Sequence, residues 1–166
     1  MMSTPTRDSA RTGYQQGRYE PGRGNQGLTR RDEMAVSGAV FSEAPWALAG
    51  AAGVAVAGAD MVLHALAFHL AIASPLALGA VAFFAVAGAG ALLRARHSRA
   101  LLWAQRNPWR FAAFPGAACA IVVFALSMVV DGGLFGSVWT ALWHGAAAYG
   151  LTGLVGSVGR PRRARS

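Results

Sequence analysis

The chain has 166 residues, of which 54% are hydrophobic and only 13% are charged, and its net charge is +8. Soluble domains are usually about one-quarter charged, so this composition argues against a soluble globular domain. The single cysteine, Cys119, excludes an intramolecular disulfide and a thiolate metal cluster, and we interpret it as a small core residue. All fifteen basic residues are arginine, which together with abundant Ala, Gly and Val indicates a GC-rich bacterial genome, such as an actinobacterial one.

Residues 1–40 are predicted to form a disordered, basic, cytoplasmic tail. The stretch STPTRDSARTGYQQGRYEPGRGNQG has almost no aliphatic residues, so it cannot bury enough apolar surface to offset its ordering entropy. A short helix is predicted next, at TRRDEMAVSGAVF, where Thr29 can cap a first turn that contains Asp32 and Glu33. We expect this helix to lie among lipid headgroups or to stay solvated.

The apolar residues that follow form blocks rather than an amphipathic pattern. Charges are absent from four long runs, and a bilayer crossing needs about 20 mainly apolar residues. None of the runs alternates apolar and polar residues as the strands of a membrane barrel do. Residues 41–159 are therefore predicted to be an all-α, polytopic membrane domain with four transmembrane helices. The expected helices are about 45–70, 75–93, 108–130 and 137–158.

Arginine placement predicts the orientation of these helices. The tail before the first helix carries six arginines, residues 94–110 carry five, and the C-terminal residues 160–166 carry four. The two short turns at 71–74 and 131–136 carry none. Because Lys and Arg are enriched on the cytoplasmic side, we expect both termini and the basic loop 94–107 to be cytoplasmic in a bacterial plasma membrane.

The stretch GADMVLHALAFHL places three ionisable residues in the first apolar helix. Asp60 and His64 are four residues apart and therefore share one helix face. An aspartate at the bilayer centre costs at least ~2.5 kcal/mol unless it is paired or hydrated, and the imidazole could pair with it. His69 is out of phase and is expected at the interface. His144 of the last helix is expected at a depth similar to that of His64. If the two helices are neighbours, Asp60, His64 and His144 form one intramembrane polar cluster, and we predict this cluster.

Such a cluster has several interpretations, which the sequence leaves open. The side chains could specify helix packing through hydrogen bonds, or they could form a proton or ion pathway. A metal or haem bound by His64 and His144 is a disfavoured third option. We expect no cofactor, no evident small-molecule substrate and no enzymatic activity, since catalytic motifs such as G-x-S-x-G, H-E-x-x-H and the phosphate-binding loop are absent from the sequence.

Two further surfaces are predicted. Ala49, Gly53 and Ala57 are spaced by four and give one helix a smooth face for close packing.

A basic cytoplasmic face is expected to contact anionic headgroups, mainly through a short helix in RARHSRALLWAQRNPWR, and nonspecific DNA is a second candidate ligand. Its members are Arg94, Arg96, Arg99, Arg106, Arg110, Arg160, Arg162, Arg163 and Arg165.

The basic segments RARHSRALLWAQRNPWR and RPRRARS, on a small multi-helix chain, resemble the architecture of the plasmid spread proteins of mycelial actinomycetes. That resemblance covers general architecture only, without a diagnostic motif, and implies an accessory role in conjugative DNA transfer. The composition itself favours a non-enzymatic accessory or assembly subunit that binds other membrane proteins or itself. A proton or ion pathway subunit that uses Asp60 and His64, or a holin-like pore, are the remaining alternatives.

Overall fold

A computed structural model describes residues 29–67, 72–94, 99–130 and 133–159, and all of the secondary structure in these ranges is helical. Six helices follow one another in the described ranges. They are α1 (Arg30–Ser42), α2 (Trp46–Leu66), α3 (Ala73–Leu93), α4 (Arg99–Arg106), α5 (Pro108–Val130) and α6 (Leu134–Val158). The predicted all-α class is thereby confirmed for the described residues.

The four long helices match the four predicted ones, with shifted ends. Helix α2 ends at Leu66 rather than near residue 70, and α3 begins at Ala73 with Pro75 in its first turn. Pro108 begins α5 as expected, because the fixed φ of proline suits a first helical turn. Helix α6 starts at Leu134, three residues before the predicted start.

Among the described helices, three are long and apolar enough to cross a membrane, namely α2, α3 and α5. Helix α6 is not among them, although it has 25 residues and no Asp, Glu, Arg or Lys. Its five glycines, together with its Trp, Thr, Ser and Tyr residues, make it less apolar than the other three. The fourth predicted span therefore has the length of a membrane helix but not the same hydropathy.

Close contacts at small residues show how the long helices run. Gly116 and Gly145 meet where α5 and α6 cross, and near the other end Pro108 lies beside Gly156, so α5 and α6 are antiparallel. Helices α2 and α3 are also antiparallel, because Gly53 contacts Gly79, Pro45 before α2 lies beside Gly90, and Ser74 contacts Asp60.

Helix α3 is the centre of the bundle, since it packs against α2, α5 and α6. Gly88 of α3 lies beside Thr152, and Leu92 lies beside Gly156, so α3 and α6 run in the same direction. In contrast, α2 packs chiefly against α3 among the described helices. Only 11% of the residues in the most apolar part of α2 are buried, against 44% for α3.

Helix α1 was predicted to lie among headgroups or in solvent, but it packs on the bundle. Thr29 caps this helix as predicted, and Asp32 returns the contact to form a reciprocal capping box, which satisfies free backbone N–H groups at the helix start. Val40 and Phe41 are buried in a core shared with α3, α4 and α5. Since α1 begins at Arg30, the division that assigned all of residues 1–40 to a disordered tail is wrong for residues 30–40.

Candidate functional site

Asp60 and His64 are in contact, as their spacing predicted. The Nδ1 atom of His64 lies 3.3 Å from a carboxylate oxygen of Asp60 and 2.9 Å from the backbone oxygen of the same residue. The hydroxyl of Ser74, at the start of α3, donates to the Asp60 carboxylate at 3.3 Å. Asp60 therefore links α2 to α3 through Ser74, and the imidazole of His64 lies beside the same carboxyl group.

This polar group, Asp60–His64–Ser74, lies near one end of the bundle. His64 is in the last turn of α2. The Asp60 side chain is 17% exposed and the His64 side chain 32% exposed. Because α2 ends earlier than expected, these residues are nearer to a helix end than the sequence indicated. His69 lies outside the described residues.

His144 occupies a different part of the bundle. Its Nδ1 atom donates to the backbone oxygen of Thr140 at 2.7 Å, and the thiol of Cys119 lies 3.8 Å from the His144 backbone oxygen. Judged by the α3–α6 contacts, His144 is level with about residue 80 of α3. Ser74 is about six residues away along α3, or roughly 9 Å at the rise of an α-helix.

The predicted three-residue cluster is therefore split in the structure. Helix α6 packs on α5 and α3, whereas α2 packs chiefly on α3, and His144 lies deeper along the bundle than Asp60 and His64. Within the described ranges, no three His, Cys, Asp or Glu side chains are grouped so that they could hold a metal ion. His64 and His144 therefore do not lie on either side of one shared haem or metal position.

Both histidines share one hydrogen-bonding pattern. Each ring places Nδ1 on the backbone oxygen four residues earlier, of Asp60 for His64 and of Thr140 for His144. A carbonyl oxygen only accepts hydrogen bonds, so Nδ1 is the donor in each of these two contacts.

All described arginines belong to segments at the opposite end of the bundle from Ser74. The guanidinium of Arg94 donates to the backbone oxygen of Glu43, and Arg110 pairs with Glu33 of α1. Two members of the predicted basic face thus also hold α1 and the α1–α2 junction in place. Arg99 begins α4 and Arg106 ends it. The other members lie outside the described residues, and they are Arg96, Arg160, Arg162, Arg163 and Arg165.

The predicted short helix in the basic loop is present as α4. It is amphipathic, with Leu101 and Ala104 buried against the bundle and Leu102 exposed. The side-chain amide of Gln105 donates to the backbone oxygen of Leu92, which ties the helix to the end of α3.

The predicted packing face of α2 lies against α3. Ala49 is fully buried, and a Cβ atom on Gly53 would lie 3.0 Å from the backbone oxygen of Gly79 and 3.1 Å from Phe83. Ala57 completes the face through its contact with Gly79. Gly79 itself was not identified from the sequence, because a glycine among many small residues gives no signal of its own.

A second close contact was also missed by sequence reasoning. Gly116 of α5 lies against the backbone oxygen of Gly145 and the Cβ of Tyr149, while Gly145 lies against Ala120. A local signal did exist, because PGAACA and HGAAA are dense in small residues at corresponding depths of the two helices. Pairing them required knowledge that α5 and α6 are neighbours.

Comparison with protein-family models, curated protein sequences and solved structures found no match to this chain.

Proposed function

We propose that the chain is a four-span integral membrane protein with both termini in the cytoplasm, and that α6 is its fourth span. The support for α6 is that its 25 residues include no Asp, Glu, Lys or Arg, and that about 37 Å of helix exceeds the ~30 Å hydrocarbon core. It also packs antiparallel along α5 from Gly145 to Gly156. The exposed Trp139, near the start of α6, has the character of an interfacial anchor.

The proposed orientation rests on the arginine-bearing end of the bundle. The ends of α3 and α6 meet there, since Gly159 lies beside Leu93, and Pro45 before α2 contacts Gly90. Arginine-rich segments that share one end are typical of the cytoplasmic side.

Labelling of one introduced cysteine at a time tests whether α6 is a span and tests the orientation. Cys119 is buried, so new cysteines at exposed positions report on their own side of the membrane. With a membrane-impermeant maleimide, we expect Gly133→Cys to label in intact cells, and Ser42→Cys and Val158→Cys to label only after permeabilisation. Labelling of Val158→Cys together with Gly133→Cys would reject α6 as a span. An inverted pattern for all three would reject the orientation.

For its role, we propose a non-enzymatic accessory or assembly subunit of a larger membrane complex. The observation that carries this proposal is the open side of α2. Four alanines lie on that side at a spacing of four residues, and their side chains are all exposed. They are Ala47, Ala51, Ala55 and Ala59. Small residues let membrane helices approach closely, so this side of α2 suits a helix of another subunit or of a second copy.

A blue-native gel of membranes solubilised in mild detergent tests this role. We expect the wild-type chain in a complex larger than the monomer, and the double variant Ala51→Leu/Ala55→Leu to shift towards the monomer. The matched control is Ala125→Leu, which enlarges an exposed alanine on α5. A wild-type chain that runs as a monomer in its native membrane would reject the accessory role.

A DNA-transfer accessory is the second candidate, in keeping with the architectural resemblance to plasmid spread proteins. The observation in its favour is that Arg94, Arg106 and Arg110 share one end of the bundle with Gly159, which lies beside Leu93. Such binding would be nonspecific and strongly salt-dependent. Failure of the detergent-solubilised protein to retard duplex DNA at low salt would refute it.

A further inference from the structure

A groove with an apolar wall and a charged end runs between α1 and α5. Its volume is about 560 Å³, within the ~300–1,000 Å³ range of small-molecule sites. Met34 of α1 and Phe114, Ala117 and Ile121 of α5 form the apolar part. Met34 is 62% exposed and Ile121 is 69% exposed, so the groove opens laterally, away from the bundle.

The charged end lies where α1 begins. Arg30 and Arg110 both line the groove, and Glu33, less than one helical turn after Arg30 on α1, pairs with Arg110. The Arg110 side chain remains 65% exposed in this ion pair, whereas Glu33 is 22% exposed. Two guanidinium groups and one carboxylate leave a net positive charge at this end, and Arg110 still has N–H groups for an additional anion.

The length and polarity of the groove indicate its occupant. From Arg110 to Ile121 the groove follows eleven residues of helix, about 16 Å at 1.5 Å per residue. That distance is close to half of the ~30 Å hydrocarbon core, which is the depth of one leaflet. Residues 1–28 of this chain are a poor alternative occupant, because they contain almost no aliphatic side chains.

We propose that this groove binds one anionic phospholipid of the cytoplasmic leaflet. The phosphate lies between Arg30 and Arg110, and one acyl chain lies along Phe114, Ala117 and Ile121. This inference rests on the proposed membrane orientation, and it adds a specific lipid site to the general attraction of the basic face for anionic headgroups. Helix α1 forms one wall of the site, so the lipid also stabilises α1 against the bundle.

Native mass spectrometry of the full-length protein in mild detergent tests the site, with phosphatidylglycerol and phosphatidylcholine of equal chain length as probes. A basic residue near the membrane surface contributes about fivefold to the binding of an anionic lipid. We therefore expect Arg30→Gln/Arg110→Gln to lower the affinity for phosphatidylglycerol about 30-fold, with phosphatidylcholine binding unchanged. Glu33→Gln is expected to raise phosphatidylglycerol affinity about fivefold. Arg31→Gln, a charge change on α1 outside the groove, is the matched control.

A second pair of variants tests the acyl-chain part without altering charge. Ala117→Phe fills the groove and is expected to remove one tightly bound phosphatidylglycerol, whereas Ala125→Phe, further along α5, retains it. Soluble glycerol phosphate is expected not to compete, since it lacks the acyl chain. Equal lipid stoichiometry in the two phenylalanine variants, or a phosphatidylglycerol preference that survives Arg30→Gln/Arg110→Gln, would overturn the site. Extraction of the protein from membranes by alkaline wash would instead overturn the membrane proposal itself.

Discussion

The contact between α5 and α6 at Gly145 can be tested by adding a single methyl group. A Cβ atom at this position would lie 2.7 Å from the Cβ of Ala120 and 2.9 Å from the backbone oxygen of Gly116. Carbon atoms in favourable contact are about 3.5–4.0 Å apart, so Gly145→Ala requires the two helices to separate by roughly 1 Å. Neither neighbour can move aside, because one is a short side chain and the other is backbone.

The expected cost follows from two opposing effects. Overpacking of a tight core typically destabilises a protein by about 1–3 kcal/mol. Replacing Gly by Ala in a helix stabilises it by up to ~1 kcal/mol, because Ala has the higher helix propensity. We expect Gly145→Ala to lower the free energy of unfolding by about 1–2 kcal/mol. The matched control is Gly150→Ala on the same helix, where nothing lies within 4 Å of the added Cβ. This variant is expected to be as stable as the wild type or up to ~1 kcal/mol more stable.

The measurement is reversible unfolding in mixed micelles of mild detergent and SDS, followed by tryptophan fluorescence and far-UV circular dichroism. The difference between the two alanine variants is the informative quantity, because it cancels the shared gain in helix propensity. Equal stability of Gly145→Ala and Gly150→Ala would refute the close α5–α6 contact. So would a larger loss in Gly150→Ala.

Three further variants probe the other contacts. Thr29→Ala removes the capping box of α1 and is expected to cost about 1 kcal/mol, seen as faster amide hydrogen exchange in α1 but not in α5. Asp60→Asn keeps an oxygen that accepts from Ser74 and is expected to change stability by less than ~1 kcal/mol, since the pair is partly exposed. If Asp60→Asn also leaves proton flux in proteoliposomes unchanged, the ion-pathway interpretation is rejected. Gly79→Ala is expected to loosen α2 specifically, with disulfide trapping between engineered cysteines on α2 and α3 as the measurement, and undiminished trapping would count against that packing.

The contrast between α2 and α6 bears on how the chain works in a membrane. Helix α6 is held along much of its length by α5 and α3, whereas α2 is held chiefly by α3 through Gly53 and Gly79. A helix with one strong contact can shift or accept another partner at lower cost than one packed on two sides. The proposed binding of another subunit on α2 follows from this difference.

Local information in the sequence was sufficient for most of the helices. In a bilayer every backbone N–H and C=O must be bonded within its own segment, so a charge-free run of sufficient length predicts a helix without knowledge of its neighbours. The start of α1 could also be predicted from neighbouring residues, because its capping box joins Thr29 and Asp32, which are three residues apart. The contact of Asp60 with His64 followed from helical periodicity alone.

Other features depended on residues that are distant in the chain. The sequence could not show that α2 packs chiefly on α3, so His144 was grouped with Asp60 although the structure separates them. The partners Ser74, Gly79 and Glu33 come from other helices, and the α1–α5 groove exists only because α1 folds back onto the bundle. Helix formation is decided by short-range hydrogen bonds, but the choice of helix neighbours is decided by close packing between small residues. Many small residues in this chain could have formed such contacts, so the sequence did not show which helices are neighbours.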